Sequence, residues 1–147
     1  MNTFKMDIAN IGTLKILASD VATKAERFDK FAKAWEGACK HQNIIVIHEA
    51  TRKQFSFDYY GAKLARMVEN EQDAITAVYN YLSDAWVYYN DDFNDLGYNR
   101  FEDKETFNNV YNGCKKAYYK VSRWFHNIGV EIDLGDLLNQ LQEDFDI

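Results

Sequence analysis

Apolar residues recur along this chain with two periods, and the changes of period divide it into elements. Val21, Phe28, Phe31, Trp35 and Ala38 fall at near-helical spacing, with Lys24, Arg27, Lys30 and Lys33 mostly elsewhere on the cylinder. Ser19 or Asp20 supplies a short polar N-cap for the first-turn amides, so an amphipathic helix of about 20 residues is expected here. Gly37 within it costs up to ~1 kcal/mol against Ala. Next, Asn43-Ile44-Ile45-Val46-Ile47-His48 is a β-branched run, and Gln54-Phe55-Ser56-Phe57-Asp58-Tyr59 alternates polar and aromatic residues. The short polar segment Glu49–Lys53 between them predicts a hairpin, closed by Gly61. A lone hairpin is marginal in water, so helices are expected on its apolar face.

The second half returns to the helical period. Ile75, Val78, Tyr79, Leu82, Ala85, Trp86 and Tyr89 predict a helix from about Glu71 to Tyr89, with acidic residues in its first turn. Asp91 to Leu96 reads as a single helical turn stopped by Gly97. Phe107, Val110, Tyr111, Cys114, Tyr118, Val121, Phe125 and Ile128 then step by three or four along the longest helix, roughly Asp103 to Asn127. A last helix, about Asp133 to Phe145, presents Leu134, Leu137, Leu138, Leu141 and Phe145. Residues 62–70 read as helix or loop, and Thr13–Leu17 as a short strand or a helical turn. The expected fold is α+β but mainly α: an N-terminal helix, a small β-hairpin or sheet, and a C-terminal helical bundle. With no repeat, linker or low-complexity tract in sight, residues 1–147 are expected to form a single domain.

Composition narrows the function classes. A 47% hydrophobic and 16% aromatic chain of 147 residues can bury a core, which argues against disorder. No run approaches the roughly 18 apolar residues that span a bilayer. The first 20 residues contain Asp7 and no sustained apolar run before a small-residue cleavage site, so no signal peptide is expected. The two cysteines, Cys39 and Cys114, fit buried free thiols of a reducing compartment better than a disulfide framework. A Cys39–Cys114 bond stays open. Proline is absent, so breaks fall to Gly, Asn and Asp.

Candidate chemistry is sparse. Cys39, His41 and His48 match no standard zinc spacing. Asp92, Asn94, Gly97 and Asp103 sit at calcium-loop positions one, three, six and twelve, but Leu96 at position five offers no side-chain oxygen. Ser19, Ser56, Ser83 and Ser122 lie in no glycine-framed turn, and no glycine-rich phosphate cradle exists. No catalytic residue, metal or cofactor is therefore assigned, and the chain is read as a binding protein.

Charge is more informative. The net charge of −6 is unevenly spread: residues 1–68 carry 11 Lys/Arg and 7 Asp/Glu, and residues 69–147 carry 6 and 16. Carboxylates gather at 84–105 (Asp84, Asp91, Asp92, Asp95, Glu102, Asp103, Glu105) and again at 131–146. Mounted on helices, they suit a groove built for nucleic-acid phosphates. Adjacent tyrosines (Tyr59/Tyr60, Tyr88/Tyr89, Tyr118/Tyr119) cannot both face one core from a helix, so one of each helical pair should point outward as an interface anchor. The opposite chemistry is also present. Lys115, Lys116, Tyr119, Lys120 and Arg123 share one side of the long helix and could follow phosphates and stack a base.

Tyr81-Leu82-Ser83-Asp84-Ala85, Phe93-Asn94-Asp95-Leu96-Gly97-Tyr98 and Val110-Tyr111-Asn112-Gly113-Cys114-Lys115-Lys116 together resemble segments of small acidic accessory proteins of phages, prophages and plasmids. The resemblance covers about residues 55–125. It implies an inhibitor of the anti-CRISPR or antirestriction type, acting in the cytoplasm of a bacterial host on a defence protein or ribonucleoprotein nuclease. The net charge is smaller than that of strong DNA mimics, which favours a mixed acidic and aromatic surface. The partner-binding set is then Asp84, Tyr88, Asp91, Asp92, Asp95, Tyr98, Glu102 and Asp103, with no membrane and no cofactor, and room for a homodimer. The alternatives are a nucleic-acid-binding accessory protein using the basic helix face, and a structural module of a virion.

Overall fold

A computed structural model describes residues 2–20, 22–23, 40–61, 67–90 and 104–147. Among these residues five strands come first: β1 (Asn2–Ile8), β2 (Gly12–Ala18), β3 (Ala22–Thr23), β4 (Lys40–His48) and β5 (Gln54–Gly61). Three helices follow: α1 (Glu71–Asn90), α2 (Lys104–Ile128) and α3 (Leu134–Phe145). The contacts cluster into two compact units, Met1–Ala77 and Val78–Ile147.

The mainly α fold with an N-terminal helix is overturned. The chain opens with an antiparallel sheet: β1 pairs with β2, β2 and the two-residue β3 pair with successive parts of β4, and β5 takes the other edge of β4. Residues 22–23, inside the expected first helix, are strand; residues 24–39 lie outside the described residues. The physical reason is a two-residue period. Met6 and Ile8 on β1, Leu14, Ile16 and Ala18 on β2, Ile44 and Val46 on β4, and Phe55 and Phe57 on β5 fall on one face through the register. All nine are buried. One face of the sheet therefore forms the apolar core of this unit, and the register is pinned because a slip by one residue would turn the whole set outward.

The turn chemistry agrees. Asn10 (φ 69°) and Gly12 (φ 111°) take left-handed conformations between β1 and β2, and the Ile11 amide closes the turn on the Ile8 carbonyl at 3.1 Å. The β4–β5 connection, Glu49–Lys53, is tied by His48 N to Lys53 O at 2.9 Å and Arg52 N to His48 O at 2.7 Å. That hairpin is the one the β-branched run and the aromatic alternation predict.

In the second unit the helices follow the apolar stripes. Leu82 and Ala85 of α1, Cys114, Ala117, Val121 and Trp124 of α2, and Leu137, Leu138 and Leu141 of α3 are buried. Asp133 caps α3, its Oδ1 accepting from Asp136 N at 3.0 Å. At the end of α2, Gly129 (φ 73°) turns the chain: Gly129 N donates to His126 O and Val130 N to Phe125 O, both at 3.2 Å. The Gln142 amide of α3 donates to the Tyr79 hydroxyl at 2.6 Å, and a Cβ on Gly135 would come within 3.1 Å of the Trp86 indole. Since Tyr79 meets residue 142 and Trp86 meets residue 135, α1 and α3 run antiparallel. Among the described residues no helix is long and apolar enough to cross a membrane.

Candidate interface on the second unit

Five tyrosines meet where α1 ends. Tyr88 contacts Tyr111, Tyr118 and Tyr119 of α2 at ring-centroid distances of 5.6, 5.4 and 6.1 Å, and Tyr89 stacks on Tyr118 at 5.8 Å with 24° between planes. Helical spacing explains the gathering. Residues 111 and 118 are two turns apart and so lie on one side of α2, and residue 119 flanks them. Tyr88 and Tyr118 are half-buried, whereas Tyr89 is 58% and Tyr119 54% exposed. Each pair thus has one outward ring, a large, rigid contact surface that already carries its share of packing. The hydrogen bond with the Tyr119 side chain, followed by desolvation, pushes the Tyr88 phenol up to about 12.

Beneath the rings, Val87 and Cys114 form a small buried cluster with Trp86, Tyr88, Val110 and Tyr111 against it. Desolvation, with the nearby Asp84 carboxylate second, pushes the Cys114 thiol up to about 12. Asp84 keeps a solvent-reaching edge, yet the protein atoms around its carboxyl remove enough water to raise it to about 6.

Of the eight partner-binding residues expected from the sequence, Asp84 and Tyr88 are thus within one turn of each other on α1. Asp91, Asp92, Asp95, Tyr98, Glu102 and Asp103 lie outside the described residues, as do the expected helical turn Asp91–Leu96 and the calcium-like spacing around Gly97. In the basic set, Lys115, Lys116, Tyr119 and Arg123 are exposed on the solvent side of α2 and Lys120 is half-buried at its flank. The expected partner-binding set left out Tyr89 and Tyr118, although the sequence shows each in an adjacent pair, and Tyr111, whose signal is its place two helical turns before Tyr118.

The zinc-like triplet is divided. Cys39 lies outside the described residues, His41 Nε2 donates to Asp58 Oδ1 at 2.8 Å, and His48 Nε2 donates to the Ile11 carbonyl at 2.7 Å. The other His48 nitrogen, Nδ1, faces the Thr51 hydroxyl at 2.8 Å. These histidines hold turns and strand ends. Among the described residues, no group of three or more His, Cys, Asp or Glu is arranged to hold a metal ion.

A groove of about 580 Å³ opens beside the tyrosines, lined by α1, α2 and the segment that leads into α3. Tyr89, Tyr118 and Phe125 supply its rings, and Glu131 and Asp133 its carboxylates. No protein-family model, curated protein or solved structure matches this chain.

Proposed function

We propose that the chain is a binding module of phage type that inhibits a bacterial nucleic-acid-targeting defence complex, in the manner of anti-CRISPR or antirestriction proteins. The tyrosine cluster carries the reading. Tyr89 and Tyr119 offer two outward rings on a packed base, the arrangement that makes interface anchors effective because little side-chain freedom remains to be lost on binding. Asp91 and Asp92 follow α1 directly in sequence, and Asp95, Tyr98, Glu102 and Asp103 come soon after. Carboxylates close in sequence to aromatic anchors suit a partner surface built to hold phosphates, with long-range attraction steering the encounter. The reading assigns no catalysis and no cofactor to the chain.

Affinity capture from bacterial lysate tests it, with charge reversal at Asp91, Asp92 and Asp95 and, separately, Tyr89→Ala with Tyr119→Ala. Both sets should lose a nucleic-acid-handling partner while the far-UV spectrum stays unchanged. Capture that survives both sets overturns the reading.

One observation favours a second reading, direct nucleic-acid binding. Lys115, Lys116, Tyr119 and Arg123 are all exposed on the same side of α2. A gel-shift titration across salt separates the two, since affinity carried by phosphate contacts falls steeply with ionic strength. Salt-sensitive retention of DNA or RNA, lost on Lys116→Glu with Arg123→Glu, replaces the inhibitor reading with this one.

A further inference from the structure

The groove beside the tyrosines has the chemistry of a cation site. Tyr89 and Tyr118, stacked within 24° of parallel, both line it, and Phe125 adds a third ring. Aromatic faces carry negative quadrupole charge and attract ammonium and, above all, planar guanidinium groups. Glu131 and Asp133 lie in the same lining, and among the described residues that line it there is no Lys or Arg, with His126 the one basic side chain.

The helix ends act in the same direction. The groove is lined by the last turn of α2, whose dipole favours a cation, although the Phe125 and His126 carbonyls there already accept from Val130 N and Gly129 N. It is lined as well by the first residue of α3, whose amide end would favour an anion, but Asp133 already supplies one: its carboxylate caps the helix at Asp136 N. An anionic ligand would therefore meet two carboxylates and a helix terminus that is already satisfied. The volume of about 580 Å³ is within the range of sites that hold small molecules or a few peptide side chains.

We propose that this groove binds an arginine or lysine side chain presented on a basic peptide segment of a partner protein, with the Tyr89–Tyr118 pair as the stacking surface and Glu131 as the counter-ion. The assignment rests on the binding-module reading and adds the chemistry of what the module grips. Proteins that hold nucleic acid display arginines and lysines toward phosphates.

The test is a fluorescence-anisotropy titration of the full chain with a labelled Gly/Ser peptide carrying two arginines, against the same peptide with citrulline. Citrulline keeps the shape and most of the hydrogen bonding of arginine and removes the charge. The arginine peptide should bind about tenfold more tightly, and Glu131→Gln and Tyr89→Leu should each weaken it by roughly three- to tenfold. Both positions are exposed, so far-UV spectra should match the parent. Glu143→Gln, an exposed carboxylate of α3 outside the groove lining, is the control for general negative charge and should leave binding unchanged. Equal affinity for the citrulline peptide, or equal weakening by Glu143→Gln, overturns the assignment. If the groove variants lose the peptide yet still capture the host complex, the groove is not what grips it and the proposal falls, while the binding-module reading stands. If the peptide binds as expected but no host complex is ever captured, the inhibitor reading falls and the groove assignment remains.

Discussion

The side chain of Gln42 on β4 pairs with the backbone of Val68 as another strand would: its Oε1 accepts from Val68 N at 2.8 Å and its Nε2 donates to Val68 O at 3.2 Å. The remaining Nε2 hydrogen goes to Ser19 O at 3.1 Å. A buried glutamine thus satisfies three backbone groups from two otherwise separate segments, which explains why an amide lies on the apolar face of the sheet. Every described buried side-chain nitrogen and oxygen has a partner.

Removing that amide should therefore be expensive. Gln42→Leu keeps a similar volume but strips the Val68 amide, the Val68 carbonyl and the Ser19 carbonyl of their partner. A loss of about 2–4 kcal/mol is expected, since an unpaired buried polar group costs more than the net worth of its bond. Urea denaturation measures it. A change under about 0.5 kcal/mol would show that water or another group replaces the amide.

Asp84 makes stability depend on pH in an unusual sense. Its carboxyl titrates near 6 in the folded chain and near 3.8 when unfolded. Between those values the unfolded state releases the proton that the folded state keeps, so this group lowers stability as pH rises from about 4 to about 6, and the penalty stays above that. Asp84→Asn should remove the penalty, raising stability at pH 7 by about 1 kcal/mol; the solvent-reaching edge of the carboxylate holds the figure below the full linkage value. Thermal melts at pH 4 and pH 7 check the sign: the gain should appear at pH 7 and vanish at pH 4.

Cys114 should be inert while the chain is folded. Its thiol is buried and pushed up to about 12, so at pH 8 almost none is thiolate. In a Cys39→Ser background, a disulfide-exchange chromogen should find no reactive thiol in the native protein within minutes and one after denaturation. Asp84→Asn removes the second cause of the shift but leaves burial, so the native thiol should stay slow. Rapid native labelling would contradict the burial described for Val87 and Cys114.

The outward tyrosines should matter for binding and little for folding. Tyr119→Ala removes a ring more than half exposed, so its stability change should stay within about 1 kcal/mol. Tyr111→Ala withdraws a half-buried ring that packs against both Tyr88 and the Val87–Cys114 cluster, and should cost about 2–3 kcal/mol. Calorimetric melts of the two variants distinguish anchor from support.

Local pattern made several elements legible. The apolar steps from Ile75 to Tyr89, from Val110 to Ile128 and from Leu134 to Phe145 predict α1, α2 and α3 within a few residues of their ends, because a helix closes its hydrogen bonds within its own segment. The hairpin of β4 and β5 was legible for a similar reason: its two strands are neighbours in the chain. The first hairpin carried the same kind of signal: Phe4, Met6 and Ile8 alternate as clearly as Phe55 and Phe57 do, Asn10 and Gly12 mark the turn, and β1 and β2 are neighbours in the chain. What no local pattern shows is that β2 also pairs with β4, some 26 residues or more away in sequence.

The sequence by itself determined the helical second half, the central hairpin, the uneven charge and the tyrosine pairs, since each depends on spacing within one segment. Only the tertiary structure decided that the first hairpin joins β4 in one sheet, that five tyrosines share one cluster, and that the Cys114 thiol is deprived of water. Strand pairing, ring contacts and desolvation are properties of groups brought together from distant positions, and no local period encodes which groups those will be.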